Sequence, residues 1–135
     1  MVLTRRQVRL RKTLHIVVEE DPVIIRIESF NGEYVEVEDV EEMRRANLEL
    51  SGGKPFMVLL DTSRGHAPSS PEANKLMASK EFADDRKAIA IVARSLAAKL
   101  LSNFFIRFNK PHTPTRVFTD EGVALDWLKD ISKVD

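Results

Sequence analysis

The chain has no cysteine among its 135 residues, which excludes a disulfide frame, a thiolate nucleophile and any cysteine-ligated metal. That absence fits a reducing compartment, and a cytoplasmic location is expected. No apolar run reaches the length of a membrane helix, and the N-terminus lacks the apolar core of a signal peptide, so membrane insertion is not expected. Glycine is scarce, with five in all, and none stands in a phosphate-loop or nucleophile-elbow spacing. The "SGGKP" stretch has neither Walker spacing nor a following helix, so nucleotide binding has no support. His15, His66 and His112 are far apart and belong to no paired-histidine motif, so no metal and no cofactor are expected. Net charge is absent too, with 21 basic residues against 21 acidic ones.

What charge there is lies in blocks. Arg5, Arg6, Arg9, Arg11 and Lys12 make a basic start, and residues 19–42 are acidic with Arg26 as their only base. A basic arm can bind nucleic acid, but here Val8, Leu10, Leu14, Ile16 and Val18 alternate with more polar positions, as on a half-buried strand. Aromatic residues for stacking on bases are not interleaved with the cations. A solvated strand face is the better reading, and no nucleic acid partner is expected.

A composition of 43% hydrophobic and 31% charged residues is that of an ordinary globular domain, and the length suits one domain over residues 1–135. Residues 1–8 read either as disordered or as a strand extension. Strands are expected at residues 9–19 and 23–29, joined by Glu20-Asp21-Pro22, with a short strand or turn passing Asn31-Gly32 toward Tyr34-Val35. From Glu38 the spacing of Val40, Met43, Ala46 (or Asn47) and Leu50 is helical and ends at Ser51-Gly52-Gly53. Residues 55–60 and 88–93 are unbroken apolar runs, expected as central strands buried on both faces. Helices are expected at 71–79, from the cap at Ser95 to before Pro111, and after Thr119 or Asp120, the last carrying Val123, Ala124, Trp127, Leu128 and Ile131. Residues 115–118 make a last strand. Strands alternating with helices imply a mostly parallel, helix-covered sheet.

Two segments are candidates for function. In "LLDTSRGHAPSSPEAN" Asp61, Ser63, His66, Ser69 and Ser70 gather polar chemistry in a loop. A Ser/His/Asp catalytic system lacks its motif there, and no catalytic residue is assigned. Ser70-Pro71-Glu72 has the form of a helix cap, and the same free N–H groups would accommodate a phosphate. Ser63, His66, Ser69 and Ser70 thus stand as a contact loop or phosphorylation switch. The second segment, "SLAAKLLSNFFIRF", spreads Leu101, Phe104, Phe105 and Phe108 over more than one helical face. The surplus apolar surface calls for extra burial, a homodimer partner or an apolar ligand.

The stretches "PFMVLLDTSRG", "AIAIVARSLAAKLLSNFFIRFNKP" and "PTRVFTDEGVALDWLK" resemble SpoIIAA-like proteins of the STAS and lipid-binding CRAL-TRIO-like fold group, in particular a bacterial family of small uncharacterised proteins. The resemblance spans residues 12–133. It is most specific at Arg116, Val117, Phe118, Thr119, Glu121, Ala124, Trp127 and Leu128. It implies an α/β fold with a mixed sheet of four to five strands, about four helices packed on it, and no catalysis. In anti-sigma-factor antagonists of this superfamily a serine at the helix start after the central strand is phosphorylated, and the matching place here is Ser69 or Ser70. Those antagonists carry an Asp-Ser-Ser-Gly type motif, where this chain reads Pro68-Ser69-Ser70-Pro71. The expected function is a non-catalytic protein-interaction or regulatory module. The alternative is a carrier or sensor of a small apolar or lipid-like ligand.

Overall fold

The computed structural model describes residues 6–30, 34–63 and 68–133. The strands are β1 (Gln7–Arg9), β2 (Thr13–Glu20), β3 (Val23–Ser29), β4 (Phe56–Asp61), β5 (Arg86–Val92) and β6 (Thr115–Phe118). The helices are α1 (Val37–Ser51), α2 (Pro71–Met77), α3 (Lys80–Asp85), α4 (Leu96–Asn109) and α5 (Glu121–Ile131). The strands join in chain order into one sheet, antiparallel from β1 to β3 and parallel from β3 to β6. The mixed α/β, helix-covered sheet is the expected class, with six strands and five helices among the described residues in place of four to five and about four.

Both differences have a local cause. The expected strand at residues 9–19 is broken, and Gln7–Arg9 turns back to pair antiparallel with β2 through Gln7↔Ile16 and Arg9↔Leu14. The expected helix at residues 71–79 ends at Met77, and Ser79 caps a separate short helix by accepting from the Phe82 amide. The turn at Asn31-Gly32 lies outside the described residues; beyond it Val35 bridges to Ser69.

Alternation sorts the side chains. Val58 and Leu60 of β4, Ile89 and Ile91 of β5 and Ile25 and Ile27 of β3 pack with Leu50, Met43 and Leu48 of α1 on one face. On the other face Met57, Leu59, Ala88, Ala90 and Val92 pack with Ala124 and Leu128 of α5. Full burial of each such large side chain is worth about 1.5–3 kcal/mol, so β3, β4 and β5 anchor the fold. Val123 is 55% exposed, because the helix turns its Ala124–Leu128 edge to the sheet. On β2 the deepest positions are Thr13, His15 and Val17, while Leu14, Ile16 and Val18 on the opposite face are only half-buried.

Helix ends follow the sequence. Gly52 takes the left-handed conformation at φ 64° and closes α1. Ser70, Ser95 and Asp120 cap α2, α4 and α5, each accepting from the amide three residues on.

Candidate functional site

Helix α4 is the outlier in packing. Of its residues only Ala98 is fully buried, although the helix is apolar. Below it, between its inner edge and the α1-side face of the sheet, lies a partly enclosed cleft of about 340 Å³. The floor is Ile27, Val58, Leu60, Ile89 and Ile91. The roof is Leu101, Phe104 and Phe105, and Met43, Met77, Asn74 and Ser69 close the sides. Ligand sites of small molecules fall at about 300–1,000 Å³ and are mostly apolar with a few polar groups.

The two segments singled out in the sequence therefore meet. Ser69 and Thr62 from the loop line the same cleft as Leu101, Phe104 and Phe105 from the helix. The remaining candidates do not join them. Ser70 is buried, and its Oγ accepts from the Ala73 amide at 3.0 Å. Ser63 turns to the strand end, where its backbone N–H and hydroxyl both donate to Asp61 Oδ1, at 2.9 and 2.6 Å, and Arg94 donates to its Oγ. Phe108 lies outside the cleft, 73% exposed, with its ring stacked on Phe104 at 5.2 Å. His66 lies outside the described residues.

Asp61 is occupied as well. Arg26 of β3 donates to its Oδ2, and the same guanidinium reaches Glu121 at 3.2 Å and Glu28 at 3.7 Å. This ion-pair cluster lies across the sheet from the cleft, on the face shared with α5, and its groups satisfy one another. Among the described residues no group of three metal-ligating side chains converges, and no helix is long and apolar enough to cross a membrane. A wider groove of about 590 Å³ between α1, α2 and α3 carries Glu41, Arg44, Arg45, Glu72, Lys75 and Glu81, an evenly mixed set.

Sequence reasoning missed Arg86, the one charged residue in the cleft lining among the described residues. It opens β5 after Asp84-Asp85 and reads as an ordinary solvated strand end; its only sequence signal is a cation directly before a buried apolar run.

A family model described as a domain of unknown function (DUF7793) matches residues 16–132. The chain belongs to that family. No curated protein matches it. Among solved structures, an uncharacterized protein of the DUF3478 family from Shewanella loihica PV-4, described as having a SpoIIAA-like fold, superposes with a TM-score of 0.58. The two chains are 19% identical over 93% of this one and 92% of the other. The DUF7793 chain thus has the SpoIIAA-like fold expected from its sequence.

Proposed function

We propose that this protein is a non-catalytic binding module that holds a small apolar or lipid-like molecule beneath α4, as its carrier or sensor. The carrying observation is the cleft, where an apolar sheet face and the inner edge of a Phe-rich helix enclose about 340 Å³. A helix that merely covers a sheet seals its inner edge against it, whereas this one leaves a space of ligand size. Native mass spectrometry of gently isolated protein tests the reading. A co-purified adduct, or a thermal shift on adding medium-chain amphiphiles, is expected. A clean apo mass without any such shift overturns it.

A second reading rests on the other edge of the same helix. Leu96, Leu100 and Phe108 are 73%, 61% and 73% exposed, an apolar stripe that suits a protein partner or a second copy of this chain. In that regulatory reading a phosphorylation switch falls on Ser69, because the Ser70 hydroxyl is buried in its cap. Mapping phosphopeptides after treatment with candidate kinases checks it; no label at Ser69 rejects the switch.

A further inference from the structure

Arg86 points into the cleft because of a defect in strand pairing. Phe56 of β4 pairs with Arg86 of β5, yet Val58 pairs with Ile89, so β5 carries one extra residue between the two pairs. Strict alternation would place Arg86 with Ala88 and Ala90 beneath α5. The extra residue instead returns it to the face of Ile89, among the cleft residues. Bulges of this kind re-aim a side chain, and they are common beside functional sites.

The guanidinium arrives there with few partners. Its Nη2 donates to the carbonyl of Met77 at 2.7 Å, and its Cζ lies 4.8 Å from the centre of the Phe82 ring. Nε is fully enclosed and has no hydrogen-bond partner among the described residues. The adjacent carboxylate, Asp85, is taken by Arg44, whose Nε donates to it at 2.5 Å. Among the described residues no acid lines the cleft. Burial pushes the guanidinium down to about 10, so it stays protonated at neutral pH. Asp85 attracts the guanidinium through space, an attraction that Arg44 offsets in part, and no carboxylate among the described residues bonds it. An enclosed cation with an orphan donor is costly, and one negative charge brought in by a ligand would offset that cost.

We infer that the cleft takes an amphiphile with a single carboxylate, its head on Arg86 and its apolar tail between Leu60, Ile91 and Phe105. The inference rests on the cleft being a ligand site. A monocarboxylate is favoured because one enclosed positive charge is balanced by one negative charge, and a planar carboxylate matches a guanidinium edge. A neutral amphiphile leaves the guanidinium without a bonded carboxylate, and a phosphate monoester brings more charge than the one cation among the described lining residues balances.

Calorimetric titration with octanoate, octanol and octyl phosphate separates these outcomes. Wild-type protein is expected to bind octanoate about tenfold or more tightly than octanol. Arg86→Gln should lose that preference while still binding octanol. Equal affinity for octanoate and octanol in the wild type, or a preference that survives in Arg86→Gln, overturns the anchor and leaves the apolar cleft standing. Tighter binding of octyl phosphate than octanoate overturns the carboxylate assignment. Binding of none of the three removes the cleft reading and the anchor together. If Arg86→Gln does not fold, the wild-type ranking of the three heads decides alone.

Discussion

His15 on β2 and Asn47 on α1 are joined across the sheet–helix interface, with imidazole Nδ1 2.6 Å from amide Oδ1, and both side chains are buried. With the Asn47 oxygen as acceptor, Nδ1 carries the proton and Nε2 accepts from the Thr13 hydroxyl at 2.8 Å. The neutral ring is thus satisfied on both nitrogens, and burial lowers its pKa, opposed in part by the Asn47 bond. A folded-state value below the unfolded 6.5 means that the unfolded chain binds the proton first. Stability is therefore full above about pH 6.5 and falls as the pH drops through the folded value. Urea titrations across that range should show it, with a flatter pH profile in His15→Gln; an unchanged slope in that variant assigns the effect elsewhere.

Asp61 and Arg26 form the centre of the ion-pair cluster on the α5 face, and the Asp61 side chain is only 5% exposed. Asp61→Ala strips Arg26 of its main partner and leaves the Ser63 amide and hydroxyl without their acceptor. A loss of about 3 kcal/mol is expected by denaturant unfolding, since breaking a buried pair costs more than the pair contributes. A variant within about 0.5 kcal/mol of wild type would show that water replaces the carboxylate.

The Ser70 cap makes a graded prediction. Ser70→Ala should cost about 1 kcal/mol, and Ser79→Ala less, because the α3 cap contact is stretched to 3.4 Å. Equal losses would show that the length of the cap contact does not set its cost.

Ala88 and Ala90 are fully buried where α5 rests on β5, opposite Ala124 and Leu128. Ala90→Leu should destabilise by about 1–3 kcal/mol or more through overpacking, with no matching effect for exposed Val123→Leu. Thermal melts of the two variants provide the comparison.

The two edges of α4 can be separated by mutation. Phe105→Ala alters the cleft and should weaken amphiphile binding without changing the sedimentation mass. Phe108→Glu, on the exposed edge, should lower the mass if α4 pairs two copies, and leave ligand binding within about twofold. Both variants behaving alike would mean that α4 acts as one surface.

Much of the fold was legible because its signals are local. Apolar runs at residues 56–60 and 88–92 imposed buried strands, Ser70, Ser95 and Asp120 announced helix starts, and Gly52 announced an end. The break that makes β1 was not legible, since residues 9–19 keep a strand-like alternation through the turn. Nor was α3, whose six residues are too few to show a helical period.

By itself the sequence determined the element order apart from β1 and α3, most caps, the absence of cysteine chemistry and the surplus of apolar surface on α4. These depend on residue type and on spacing within a few positions. Only the tertiary structure decided that Ser69 and Phe105 share a cleft, that Ser70 and Ser63 are held elsewhere, and that Arg86 faces Ile91 instead of α5. The last depends on how β5 registers against β4, thirty residues away. An extra residue in one strand has meaning only against the strand that pairs with it.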